Sequence, residues 1–118
     1  MKLFDVERGD IFLVNLEPIR GHEQGGVRPC LIIQNDEGNR HSPLTIIAPL
    51  TSKLFSREFA TNVFISKQDS NLDKDSTIMF NQIRTIDKRK ITKKISSLNY
   101  NLMGKVDMAI KISLGLDF

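Results

Sequence analysis

No tryptophan occurs in the 118 residues, and cysteine appears once, at Cys30. A lone cysteine forms no internal disulfide, which fits a reducing compartment. His22, His41 and Cys30 are the only soft metal ligands in the chain, and their spacing is not that of a zinc site. No metal or other cofactor is therefore expected. An apolar run of about 18 residues is missing, so no membrane-spanning helix and no membrane partner are expected. The first ten residues carry Asp5, Glu7, Arg8 and Asp10 where a secretory leader would be apolar. A cytoplasmic protein is expected. No Walker loop or dinucleotide fingerprint is present, because Gly25-Gly26 precedes a strand-like run and not a helix. Repeats, low-complexity tracts and linkers are also missing, so a single domain over residues 1–118 is expected.

What is there is a foldable, mildly basic chain. Hydrophobic residues make up 40%, which supports one core. Seventeen Lys and Arg against fourteen Asp and Glu leave +3, which permits a polyanionic partner without demanding one. Residues 11–16, 30–34 and 44–50 are apolar runs bounded by turn formers, and each reads as a strand. Residues 62–65, 77–80 and 82–87 read as three more. Asn35-Asp36-Glu37-Gly38-Asn39 reads as a turn. From Asn99 the period changes. Leu102, Met103, Val106, Ala109, Ile110 and Leu114 recur at helical spacing, with Asn99 as N-cap and Gly115 as stop. Six short strands followed by one helix predict a mainly β fold with a C-terminal α-helix, a small partly open β-barrel. Cys30 and the apolar helix positions are read as core.

Between the first two strands lies Gly21-His22-Glu23-Gln24-Gly25-Gly26-Val27-Arg28-Pro29. The paired glycines allow left-handed backbone or close approach of a ligand. Pro29 biases Arg28 toward extended backbone at the mouth of a strand. A polar loop anchored on a barrel is a common place for binding groups.

With this segment the chain resembles the MazF/PemK/Kid family of ribonuclease toxins, and its Gram-positive branch most closely. Other matching pieces are Arg8-Gly9-Asp10-Ile11, Leu16-Glu17-Pro18, Ile33-Gln34-Asn35-Asp36, Ala48-Pro49-Leu50-Thr51-Ser52 and Asn81-Gln82-Ile83-Arg84-Thr85-Ile86-Asp87, in that order along the chain. The resemblance implies an SH3-like barrel, a homodimer and sequence-selective, metal-independent cleavage of single-stranded RNA. It implies products with a 2′,3′-cyclic phosphate and a 5′-hydroxyl. It also implies a cognate acidic, MazE-type antitoxin that neutralises the toxin.

Such a reaction needs a base for the ribose 2′-hydroxyl, an acid for the leaving 5′-oxygen, and cationic donors for the pentacoordinate phosphate. Arg28 suits the last task, because its planar fork grips two phosphate oxygens and holds its own protons tightly. The resemblance places Thr51 beside it. His22 is a natural base near neutral pH, although this position varies between branches of the family. His41 reads as a solvated loop residue. Glu23, Gln24, Asn35, Lys53, Gln82 and Arg84 are candidates for RNA contacts. Asn81 departs from the pattern, since many relatives carry a carboxylate there, and Glu23 is the alternative proton-transfer group. Arg84, Lys88, Arg89, Lys90, Lys93 and Lys94 against Asp87 form the densest charge, six minus one or +5, suited to RNA or an acidic tail. Two other readings stand beside the ribonuclease. A gyrase-poisoning toxin of the same fold would use aromatics at the end of its last helix, whereas this chain ends Leu116-Asp117-Phe118. A non-catalytic RNA-binding module would bind and never cut.

Overall fold

The computed structural model describes residues 3–55 and 59–116. Asp117 and Phe118, on which the gyrase comparison partly turns, lie outside the described residues.

The strands are β1 (Asp10–Asn15), β2 (Val27–Ile32), β3 (Leu44–Thr51), β4 (Asn62–Ile65), β5 (Ser76–Met79), β6 (Arg84–Asp87) and β7 (Ile91–Ser97). The helices are α1 (Asp36–His41), α2 (Lys67–Ser70) and α3 (Tyr100–Leu114). Seven antiparallel strands run in the order β4-β5-β3-β2-β1-β7, with β6 also paired to β3. The sheet does not close on itself, so the barrel is partly open, as expected from the sequence. β3 is its hub. It pairs β6 through residues 44–47, β2 through 47–49 and β5 through 50–51.

The continuous apolar runs in β1, β2 and β3 are explained by burial on both faces. Successive side chains of a strand point to opposite sides. Ile11, Leu31 and Ala48 lie in register and pack with Ile78, Phe80, Val106 and Ala109 beneath α3. Their chain neighbours Phe12, Ile32 and Ile47 enter a second cluster with Val14, Leu16, Cys30 and Ile86. Helix α3 starts where the Asn99 side chain accepts the Leu102 N–H at 2.9 Å, and it ends at Gly115 with φ +71°. These are the caps the sequence predicted.

Two expectations change. The turn at residues 35–39 is the start of α1. Asn35 accepts the Gly38 N–H at 2.8 Å, and Asp36 and Glu37 occupy the positive end of the helix. Asn39 locks this short helix to the barrel. Its amide donates to the Gln34 carbonyl at 3.0 Å, and its side-chain oxygen accepts from Thr45 Oγ1 at 2.8 Å. There is also a seventh strand, β7. Only Ile91 of it is buried, because it covers the outer edge of β1 and meets solvent beyond.

Cys30 is fully buried, and burial pushes its thiol up to about 12. The folded protein should therefore be inert to a disulfide reagent at neutral pH and release one equivalent of thiol on unfolding. Because the folded value lies above the ordinary 9.0, stability should decline as pH rises from 9.0 toward about 12, where the unfolded chain ionises first. Thiol titration and alkaline denaturation curves check both.

Candidate active site

The last residues of the glycine-rich segment belong to β2, which begins at Val27, so Arg28 is a strand residue opposite Val14. Its guanidinium is held from the inner side. Nε donates to the Gly25 carbonyl at 2.7 Å. With the Gln24 amide oriented to satisfy both groups, its oxygen accepts from Nη2 at 2.9 Å and Nε at 3.2 Å. Nη1 has no partner among the described residues. Glu23, the alternative proton-transfer group, forms no ion pair with Arg28 among the described residues. Glu23 instead accepts the Arg20 N–H at 2.5 Å within its own turn.

The loop is braced from below. Gln82 Oε1 accepts the Gln24 N–H at 3.3 Å. Glu17 Oε1 accepts the Gly26 N–H at 2.9 Å. Arg84 Nη1 donates to the Leu16 carbonyl at 2.9 Å, and Lys90 Nζ donates to the Glu17 carbonyl at 2.7 Å. Gln82 and Arg84 thus support the loop with the atoms that sequence reasoning assigned to RNA.

A groove of about 720 Å³ lies beside the start of β2, lined there by Val27, Arg28 and Pro29. Its walls include Gly25, Gly26, Ser52, Lys74, Lys93 and Lys94. Four cations, Arg28, Lys74, Lys93 and Lys94, and one carboxylate, Asp73, line it, and Lys94 Nζ also stands 3.6 Å from the buried Asp10 carboxylate. Clustered cations around a concave surface favour a polyanion. The basic stretch of the sequence is therefore divided. Lys93 and Lys94 reach the groove. Lys88 is buried and donates to the Asn39 carbonyl at 2.5 Å. Arg89 pairs with Asp87 at 2.9 Å, which holds the Asp87 carboxyl below its usual range.

The remaining candidates are more scattered. Thr51 closes β3, and its hydroxyl accepts the Lys53 N–H at 3.2 Å. The groove wall contains its neighbour Ser52 and not Thr51 itself. Lys53 stands over the Phe55 ring at 5.3 Å. Asn35 caps α1. His22 is exposed in the turn that precedes the braced part of the loop, and Asn81 is exposed ahead of β6. Sequence reasoning did not single out Glu17, Ser52 or Lys74. Glu17 entered only as part of the matching piece Leu16-Glu17-Pro18, and its pairing with Gly26 is visible only once the loop is folded.

Residues 7–114 match the model of a family described as PemK-like, MazF-like toxin of type II toxin–antitoxin system. Among solved structures, an endoribonuclease from a mycobacterial species superposes with a TM-score of 0.80 at 21% identity, covering 100% of this chain and 99% of that one. An endoribonuclease in complex with its cognate antitoxin, also mycobacterial, gives 0.80 at 23% identity over 96% and 98%. MazF from Deinococcus radiodurans gives 0.80 at 22% identity over 95% and 98%. At these identities the likeness is one of fold, and the family match carries the assignment. The chain belongs to the PemK-like, MazF-like toxins of type II toxin–antitoxin systems.

Proposed function

We propose that this protein is a sequence-selective, metal-independent endoribonuclease toxin of the Gram-positive MazF branch, acting on single-stranded RNA in the cytoplasm as a single toxin domain. The observation that carries this reading is Arg28. Its guanidinium is fixed by Gly25 and Gln24, and beside its strand lies a groove lined by cations. A guanidinium fixed in this way stabilises charge that develops on a phosphate without having to reorganise.

The ribose 2′-oxygen attacks the adjacent phosphorus and the bond to the 5′-oxygen breaks, leaving a 2′,3′-cyclic phosphate and a 5′-hydroxyl. Arg28 neutralises the extra charge on the phosphoryl oxygens. The proton from the 2′-hydroxyl goes to a base, for which His22 and Glu23 are the candidates, and a proton returns to the leaving oxygen. Thr51 hydrogen-bonds the reacting group. Glu23, Gln24, Asn35, Lys53, Gln82 and Arg84 are the proposed RNA contacts, with Gln82 and Arg84 acting partly through the loop they brace. An acidic antitoxin tail would compete for the same cations. The proposed homodimer is supported by the exposed apolar residues Met108 and Ile112 of α3 and Leu116 just beyond its end.

Incubation with a long single-stranded RNA in EDTA is expected to yield discrete fragments ending in cyclic phosphate. Survival of every RNA tried would sink the ribonuclease reading, and gyrase inhibition in the same preparation would replace it.

A further inference from the structure

The peptide group that joins Gly25 to Gly26 is engaged on both sides. Its N–H donates to Glu17 Oε1 at 2.9 Å, and its carbonyl accepts Arg28 Nε at 2.7 Å. We propose that Glu17 is a positioning residue for Arg28, acting through this shared peptide group. The proposal rests on the reading of Arg28 as the group that stabilises charge in RNA cleavage.

A carboxylate on the N–H of an amide draws electron density toward the carbonyl oxygen. That oxygen then holds a guanidinium more firmly, so the two charge-assisted bonds reinforce each other. The local shape is built for the contact. A Cβ on Gly25 would lie 2.8 Å from Glu17 Oε1 and 3.0 Å from Ile19 Cδ1, so only glycine leaves the carboxylate its place. Gly26 has φ +76°, in the region that favours glycine. Glu17 is anchored independently of the loop. Its N–H donates to Asn15 Oδ1 at 3.0 Å, and its carbonyl accepts Lys90 Nζ. Next to it the Leu16 N–H donates to the Gly26 carbonyl at 2.9 Å.

The guanidinium is planar, so fixing Nε and Nη2 fixes the direction of Nη1. Glu17 sets that direction from the far side of the peptide and does not touch the substrate. Without the carboxylate the Gly25–Gly26 peptide loses one of the two bonds that fix its plane, and no side chain on either glycine restrains it. Displacement of a catalytic group by about 1 Å can reduce a rate by roughly 10²-fold.

Glu17→Ala and Glu17→Gln test this, with thermal midpoints confirming that each is folded. The first readout is the Arg28 Nε–H resonance, assigned by its loss in Arg28→Lys. The second is the single-turnover cleavage rate of a single-stranded RNA. The third is the affinity for the same chain made of 2′-deoxynucleotides, which binds but lacks the attacking hydroxyl. Glu17→Ala is expected to move the Nε–H resonance upfield. It should slow cleavage by about 10- to 100-fold, with affinity changed less than about threefold. Glu17→Gln keeps an acceptor but loses the charge, and should fall between the two; if Glu17→Ala does not fold, this variant decides alone. An Nε–H resonance unmoved in both variants, or a cleavage rate within about twofold of wild type, overturns the proposal. If the wild type cuts no RNA, the ribonuclease reading fails by itself. The resonance then still decides whether Glu17 positions Arg28.

Discussion

Replacing Arg28 with alanine is expected to lower the RNA cleavage rate by roughly 10²- to 10³-fold, the usual loss when one preorganised donor to a developing oxyanion is removed. Binding should weaken far less, because Lys74, Lys93 and Lys94 remain along the groove. Those lysines meet phosphates as point charges in ground state and transition state alike, and uniform binding of that kind does not raise the rate of the chemical step. Arg28 differs because its orientation is fixed before substrate arrives. Lysine at this position keeps the charge but loses the fork and the Nε bond to Gly25, so it should recover only part of the rate. Stability should change by only about 1 kcal/mol, since the hydrogen bonds lost are those of a partly exposed loop. Single-turnover rates beside filter-binding affinities separate the two effects. An Arg28→Ala protein that cuts at more than about a tenth of the wild-type rate would remove Arg28 from the chemistry.

Phe80→Ala should have the largest effect on stability, about 3–5 kcal/mol. Phe80 is fully buried in the cluster beneath α3, in contact with a face to which β1, β2, β3, β4 and β5 all contribute. Its carbonyl also accepts Ser113 Oγ at 2.5 Å, which pins the end of α3 to the sheet. The substitution leaves that backbone bond in place and opens a void between helix and barrel. A domain of this size holds together by only about 5–15 kcal/mol, so the melting midpoint should drop by more than about 10 °C. Calorimetry reads this directly. Phe80→Leu refills much of the space and should cost less than half as much.

The strands were legible where both faces are buried. Ile11 and Phe12, Leu31 and Ile32, and Ile47 and Ala48 form apolar runs because neighbours enter different clusters. Helix α3 was legible from its period and both caps. β7 was not. Thr92, Lys93, Lys94 and Ser97 face solvent, and a strand held by the edge of β1 needs little apolar character of its own. Helix α1 was read as a turn because Asn35, Asp36 and Gly38 favour both states, and the buried Asn39 network that decides between them is tertiary. The same division applies to the site. Arg28 stood out by its sequence context. The bracing of its loop by Glu17, Gln82 and Arg84 did not, because each contact joins segments far apart in the chain or depends on the turn between them. Gln82 and Arg84 were singled out for their chemistry, and the structure gives that chemistry a second use.

The pairing of β1 with β7 has a consequence for how the protein is made. Asp10 stands against Ser97, 87 positions away, and Ser97 Oγ donates to the Asp10 carboxylate at 2.7 Å. Lys93 and Lys94 form one wall of the groove beside Arg28, and both belong to that late strand. A growing chain on the ribosome therefore carries Arg28 long before it carries Lys93 and Lys94. Until β7 emerges, β1 keeps a bare edge of unpaired N–H and C=O groups. Closing so distant a contact also places the fold among the slower topologies. The groove is thus one of the last features of the molecule to come into being.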